Sequence, residues 1–286
     1  MRIAFPAPRR RLVLLVFVLG LASCSSTSFF YNRLDFIVPW YIDDYVNLDR
    51  GQEDFLEERL DPFLTWHRRE ELPRYVETVA YFEDAVSDSL EREELEAIQE
   101  DFEAAYRRLE SRGMEWMLAL GAELTDEQMD ELLENFEERQ EEFEKEYLER
   151  DDEEFVADSY ERLKDNLEDY MGRLDKEQRA IAQRASQELV RADNEWHQEQ
   201  QRWLERLRVI LAREPGWEDR LMQAIAEREE NFTPQYTAAI EHNTQILGAA
   251  FAEIINSRSE KQDKKLRGKL GELRNDLLAL STQDVD

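Results

Sequence analysis

Apolar side chains recur every three or four residues from Leu48 towards the end of this chain, and this spacing most constrains its fold. Residues three and four apart lie on the same face of an α-helix, so each such stretch predicts an amphipathic helix. No segment shows the sustained alternation of apolar and polar residues that a half-buried strand requires. The last stretch has leucine steps of 4, 3, 4 and 3 and consists of Leu266, Leu270, Leu273, Leu277 and Leu280.

Composition supports the same fold class. The 286 residues include nine glycines and seven prolines, too few for the many turns of an all-β fold. We therefore predict an all-α fold, an elongated helical bundle with long antiparallel, partly coiled-coil helices. The single α-helical domain is expected to cover residues 29–286, and the leucine spacing near the C-terminus suits coiled-coil packing.

Several helix boundaries follow from local residues. The pattern predicts one helix over residues 175–212, about 57 Å long at 1.5 Å per residue. Pro62 and Pro73 are expected to bend or break the early helices, and Gly172 suits a helix end. The acidic stretch 151–154 is either a kink or a turn.

A short element recurs four times, with a capping residue three positions before a glutamine. In a capping box the first side chain accepts a backbone N–H at the helix start and the glutamine reaches back. We therefore expect four helix starts, which suffice to explain the pattern. The elements are Asp49-Arg-Gly-Gln52, Thr125-Asp-Glu-Gln128, Asp175-Lys-Glu-Gln178 and Ser259-Glu-Lys-Gln262.

The N-terminus reads as a bacterial lipoprotein signal. Three arginines at positions 9–11 precede a short apolar run, which is too short for a membrane span of about 20 residues. The run ends in the lipobox Leu21-Ala22-Ser23-Cys24, whose cysteine is the only one in the chain. Residues 1–23 are then the signal peptide and Cys24 the lipid-attachment residue. The alternative is an uncleaved anchor or a chance cysteine.

Lipidation would fix the location of the protein. Acyl chains on Cys24 would hold it stably on a membrane, and Ser25, where aspartate would signal inner-membrane retention, permits transport to the outer membrane. We expect the inner leaflet of the outer membrane, with the body facing the periplasm and residues 24–28 as a short tether. Since Cys24 is consumed, packing alone must stabilise the fold.

The charge excludes some partners. The net charge is −30, and removal of residues 1–23, with four arginines and no acids, would make it −34. Nucleic acid is therefore not expected as a partner, because binding phosphates needs clustered cations. The acidic surface is interpreted as a solvated face; the alternative is a surface that attracts cationic partners or divalent ions.

An aromatic segment follows the tether. We interpret it as core, packing a short N-terminal helix onto the bundle; the alternative is a position at the bilayer interface, where such rings are favoured. Its members are Phe29, Phe30, Tyr31, Phe36, Trp40, Tyr41 and Tyr45.

The main candidate binding site is a basic, aromatic cluster in this acidic chain, made of Trp66, His67, Arg68, Arg69 and, nearby, Arg74. Such a cluster could receive an anionic group, for example a peptidoglycan carboxylate or a lipid phosphate. The favoured alternative is intramolecular pairing with the many acids.

A second candidate is the pair Asp43 and Asp44 beside two tyrosines, with helix capping as its alternative. The three histidines, His67, His197 and His242, lack the Glu-x-x-His spacing of di-iron bundles, and no phosphate-binding loop or nucleophile elbow occurs. We therefore expect no metal, no cofactor and no catalytic site.

Two resemblances bear on function. The Leu-Thr-x-x-Gln element at Leu124–Gln128 resembles the periplasmic chaperones of the Spy and CpxP type, which implies holding of unfolded clients. Motifs along nearly the whole chain resemble an uncharacterised family of Gram-negative lipoproteins, a domain of unknown function. They are Phe30–Asp35, Trp40–Tyr45, Trp66–Tyr75 and Gly172–Leu174.

We therefore expect a non-catalytic binding or scaffold protein of the cell envelope, bound to the membrane through its N-terminal lipid and to envelope proteins. The alternatives are a holdase-like chaperone and, third, an envelope enzyme or enzyme regulator. The sequence leaves the oligomeric state open.

Overall fold

A computed structural model describes residues 26–283, and every regular element in that range is helical, which confirms the all-α prediction. Two five-residue segments, π1 and π2, are π-helical. The elements are α1 (Ser26–Tyr31), α2 (Leu34–Asp43), α3 (Arg50–Trp66), π1 (His67–Glu71), α4 (Leu72–Ala85), α5 (Arg92–Glu123), α6 (Asp126–Phe143), π2 (Glu144–Leu148), α7 (Asp152–Met171), α8 (Lys176–Glu188), α9 (Asp193–Leu211), α10 (Trp217–Ala226), α11 (Pro234–Asn256) and α12 (Glu260–Thr282).

The two early prolines do not end the helical run from α3 to α4. Pro62 lies inside α3, so the predicted break there is wrong. Its missing N–H leaves the carbonyl of Glu58 without a helical donor, and Glu58 is exposed, where water can bind that carbonyl. Before Pro73 the helix widens instead of ending, and the N–H of Leu72 donates to the carbonyl of His67, five residues back.

All four predicted capping boxes are present at the starts of α3, α6, α8 and α12. Two of their glutamines, Gln52 and Gln128, also bond to each other, with amide N to amide O distances of 2.8 and 2.7 Å. Each also donates to the loop before the other helix: Gln52 to the carbonyl of Glu123 (2.9 Å) and Gln128 to that of Asn47 (2.6 Å). The boxes therefore join two loops as well as starting two helices.

The other two boxes repeat this arrangement at the far end of the sequence. Gln262 donates to the side-chain oxygen of Gln178 at 2.8 Å and to the carbonyl of Arg173 at 3.1 Å. Gln178 returns a bond to Gln262 at 3.3 Å. Both amides are buried, so the bonds between them satisfy groups that water cannot reach.

The predicted helix over residues 175–212 is wrong, because the chain breaks between α8 and α9. The amide of Asn243 on α11 bonds both backbone groups of Val190, accepting its N–H and donating to its carbonyl at 2.8 Å each. The ring of His242 bonds the carbonyl of Glu188 at 2.9 Å. Backbone groups that would have continued the helix are therefore satisfied by a distant element.

Two other boundaries are local. Gly172 ends α7 with φ +80°, a left-handed conformation that favours glycine, and confirms the predicted helix end. The acidic stretch 151–154 is a new start, because Asp151 and Glu154 form a capping box for α7.

The core consists of three groups of buried apolar side chains. The largest is contributed by α4, α5, α7, α8, α11 and α12. Helices α4 and α12 pack against each other: Glu83 lies 2.8 Å from Arg274, and the carbonyl of Val86, just after α4, accepts from Arg267 at 3.1 Å. The elongated shape, the antiparallel arrangement and the coiled-coil packing stay predictions.

The aromatic segment agrees only in part with its interpretation as core, since Tyr31 packs against the largest core group and four other members are exposed. Phe29, Phe30, Phe36 and Trp40 are 52%, 56%, 69% and 59% exposed, whereas Tyr45 is buried. The reason is that the body-facing positions of α2 are taken by aliphatic residues, Val38 and Ile42. The tether is also shorter than predicted, since residues 26–28 form the first turn of α1.

Candidate functional site

The basic, aromatic cluster lies where the first and last helices of the described range meet. The π1 segment contacts α1 at the N-terminal end of the described range and α12 at its C-terminal end. A π-helical turn inserts one extra residue into a helix and often marks a functional position. Here the widened turn places His67 and Arg68 side by side against α1.

His67 is held between two tyrosines. Its Nδ1 lies 2.8 Å from the hydroxyl of Tyr31 and its Nε2 lies 3.4 Å from that of Tyr75. The ring also stacks on Tyr31, with ring centroids 5.6 Å apart. Burial lowers the pKa of His67 to about 4; the Arg68 charge acts in the same direction and the Glu71 charge opposes it. The imidazole is therefore neutral at neutral pH and supplies no cation to an anion site.

Arg68 links α1 to the end of α12. Its guanidinium donates to the side chain of Asn32 at 2.8 Å and, at 3.2 Å each, to the carbonyl of Leu280 and the side chain of Gln283. It also lies over the ring of Tyr31, 4.9 Å from the centroid. Arg68 is therefore paired within the chain, but its partners among residues 26–283 are amide and carbonyl oxygens, so the predicted pairing with acids is wrong for this residue.

A buried carboxylate completes the cluster, and the sequence did not single it out. Glu71 is 1% exposed, and both its oxygens accept from Arg108 on α5 at 2.8 Å. This hydrogen bond raises the pKa of the Arg108 guanidinium. Arg74 approaches the same carboxylate at 3.6 Å. Glu71 and Arg108 lie far apart in sequence, so no local pattern could have paired them in a chain rich in glutamate.

The remaining predicted site residues take different positions. Trp66 packs against Phe63, with centroids 5.7 Å apart. Arg69 is exposed, and no partner for it occurs among residues 26–283. Asp43 is the last residue of α2 and Asp44 is its C-cap residue, which agrees with the alternative of helix capping at the C-terminal end. Asp44 lies 3.9 Å from Arg139, and no contact in the described range joins it to His67.

The second π-helical segment also adjoins buried charges. Arg150, just after π2, is 7% exposed at its side chain and pairs with Asp193 at 2.9 Å and Asp158 at 3.0 Å. His197 on α9 bonds Glu144 of π2 at 2.8 Å. Both π-helical segments thus contact side chains from distant helices, π1 through Arg108 and π2 through His197.

The sequence also made predictions about a lipid anchor, metal binding and membrane spans. The lipobox residues Leu21, Ala22 and Ser23 and the lipid-attachment residue Cys24 lie outside the described residues. Within residues 26–283, no group of three or more His, Cys, Asp or Glu side chains is placed to hold a metal ion. In the same range, no helix combines the length and apolar character that crossing a membrane requires.

Comparison with known proteins places the chain in one family. The model of DUF6279, a family of unknown function, matches residues 44–237, which is more than half of the chain. The matched range contains two of the motifs that carry the family resemblance, Trp66–Tyr75 and Gly172–Leu174. No curated protein and no solved structure matches the chain.

Proposed function

This chain belongs to DUF6279, a family of unknown function, and we propose that it is a lipid-anchored, non-catalytic scaffold of the bacterial cell envelope. In this proposal Cys24 carries the acyl chains, the anchor lies in the inner leaflet of the outer membrane, and the body faces the periplasm. Its partners are envelope proteins.

The attachment of α1 to the body is the observation that carries the proposal. Only Ser25 separates Cys24 from the start of α1, and α1 is fixed to π1 by the Tyr31–His67 bond, with the adjoining Asn32 held by Arg68. A lipid at Cys24 would therefore connect to the body through a helix that is already docked. Such a connection holds the body close to the bilayer in a restricted orientation, which suits a scaffold that presents one face to partners.

The polar groups of the cluster support a structural role over a catalytic one. The neutral His67 ring has both nitrogens near tyrosine hydroxyls, and the carboxylate of Glu71 is engaged by Arg108. A general base needs a position within hydrogen-bond reach of a substrate proton. In this cluster those positions are occupied by the protein's own side chains.

The glutamines of the recurring elements are also used internally. Gln128, in the element that resembles the chaperones, caps α6 and pairs with Gln52. Client binding by this element would require breaking bonds that join two loops. This favours the scaffold over the holdase.

The scaffold proposal is tested by in-cell cross-linking of the lipidated protein, followed by mass spectrometry of what it captures. We expect one or a few envelope proteins, captured reproducibly and lost in Cys24→Ala. Arg68→Met removes the hydrogen bonds from π1 to Asn32, next to α1, and to the end of α12, and it should weaken that capture. Arg69→Met is the matched control because Arg69 is exposed. A broad set of unrelated, unfolding-prone clients would contradict the scaffold and indicate a holdase.

The location is tested separately with Ser25→Asp. Aspartate after the lipidated cysteine directs retention in the inner membrane under the sorting rule used above. We expect the wild-type protein in the outer-membrane fraction of a density gradient and Ser25→Asp in the inner-membrane fraction. Wild-type protein in the inner-membrane or soluble fraction would contradict the proposed location.

A further inference from the structure

Helices α1 and α2 carry four exposed aromatic side chains, Phe29, Phe30, Phe36 and Trp40, which we call the aromatic surface. Within residues 26–283, ten large hydrophobic side chains are exposed, and these four occur within twelve consecutive residues. Exposed apolar residues that occur singly need no explanation, whereas a contiguous group marks an interaction surface.

We propose that this aromatic surface lies in the interfacial layer of the bilayer that holds the Cys24 lipid. The inference rests on the proposed lipid anchor. Cys24 precedes Phe29 by five residues, a separation of at most about 18 Å even for extended chain. An anchored Cys24 would therefore bring the aromatic surface to the membrane, where aromatic side chains favour the headgroup level.

The two sides of α2 fit a position between the body and the bilayer. Val38 and Ile42 pack against the core group that contains Leu56, Leu60 and Leu120. Phe36 and Trp40 are four residues apart, so they share a face of the helix, and Val38 lies on a different face. The helix thus presents aliphatic residues to the body and aromatic ones outward.

Charge also distinguishes this segment from the rest of the chain. Residues 26–42 contain one arginine and one aspartate, in a protein with a net charge of −30. Anionic headgroups repel an acidic surface, so the neutral segment can approach them more readily than other parts of the body. Arg33 lies over the Phe29 ring, 4.4 Å from its centroid, and is placed to meet lipid phosphates.

The acids at the end of α2 set the orientation. Asp43 is exposed and lies one turn beyond Trp40, so it would resist entering the apolar layer. Asp43 therefore stays in water when the aromatic surface contacts the interfacial layer.

The test uses the absence of any other cysteine in the chain. In the lipidated protein the sulfur of Cys24 is consumed, so Phe36→Cys introduces the only thiol for an environment-sensitive fluorophore. The matched control is Val209→Cys, on α9 and 73% exposed. Full-length lipidated proteins are reconstituted into vesicles of phosphatidylethanolamine and phosphatidylglycerol, with and without a shallow nitroxide-labelled lipid.

We expect the fluorophore at position 36 to shift its emission to the blue and to lose most of its intensity to the nitroxide lipid. The fluorophore at position 209 should show neither change. Equal behaviour at both positions would overturn the proposal, and so would a blue shift at 36 without lipid quenching, because the surface would then be covered by protein. Failure of the lipid anchor is read out separately, as labelling of Cys24 in the wild-type protein.

Discussion

Removing Arg108 should destabilise the protein more than removing any exposed arginine, because it leaves the buried carboxylate of Glu71 without its main partner. Breaking a buried ion pair by deleting one side costs roughly 3–5 kcal/mol. Arg108 is 32% exposed, and Arg74 lies 3.6 Å from the carboxylate, so water and Arg74 will offset part of the loss. We expect Arg108→Met to lower the free energy of unfolding by about 3 kcal/mol, the lower end of that range.

The assay is urea unfolding of the lipidated protein in detergent, followed by far-ultraviolet circular dichroism. With a slope of about 3 kcal/mol per molar urea, the midpoint should fall by about 1 M. Arg112→Met on the same helix is the control, since Arg112 and Glu115 form an exposed pair worth at most about 1 kcal/mol. The double variant Glu71→Met with Arg108→Met should recover most of the loss, because an apolar pair can replace a buried ion pair. A double variant as unstable as Arg108→Met would refute the reasoning.

Three further predictions follow from single positions. Because burial lowers the pKa of His67 to about 4, against about 6.5 when unfolded, the unfolded chain takes up the proton first as the pH falls. The wild type should therefore lose stability relative to His67→Phe between pH 6.5 and about 4, by up to about 1.4 kcal/mol per pH unit. A difference in urea midpoint between the two proteins that stays constant over this pH range would contradict this. Gly172 has a φ of +80°, so Gly172→Ala should destabilise the protein by about 1–2 kcal/mol. Gly248 lies inside α11 with open space around it, so Gly248→Ala should stabilise the protein by about 0.5–1 kcal/mol. The melting temperatures of the two variants should therefore move in opposite directions from that of the wild type. Gln178→Ala should cost about 2 kcal/mol, because the capping box of α8 loses its glutamine and the buried Gln262 loses one of its hydrogen bonds. The double variant with Gln262→Ala should cost less than the sum of the single variants in a double-mutant cycle.

Helix starts could be predicted from the sequence because a capping box is a contact between residues three positions apart. All four are present for this reason. The break between α8 and α9 could not be predicted, since it depends on Asn243 reaching the backbone of Val190 from another helix. Apolar periodicity continues across this break, so the pattern alone favours one long helix.

The candidate site was predictable in part. His67 and Arg68 stand out as a basic, aromatic pair in an acidic chain, and the structure brings both to the contact between α1 and α12. Their role could not be predicted, because the partners of Arg68 are neutral oxygens near the two ends of the described range, far from Arg68 in sequence. The pairing of Glu71 with Arg108 has no local signal either, since one glutamate among many carries no information.

The exposed aromatic surface shows a further limit of pattern reasoning. Periodicity tells which residues share a face of a helix, and it does not tell which face meets the body. In α2 the aliphatic Val38 and Ile42 face the body, and the larger Phe36 and Trp40 are exposed.

The most direct test of the account is the mass of the N-terminal peptide from protein isolated from bacterial membranes. The account predicts that the peptide begins at Cys24, lacks residues 1–23 and carries a thioether-linked diacylglycerol and an amide-linked acyl chain. A peptide that retains the bond between Ser23 and Cys24, with a free thiol on Cys24, would contradict the lipid anchor and the scaffold proposed from it.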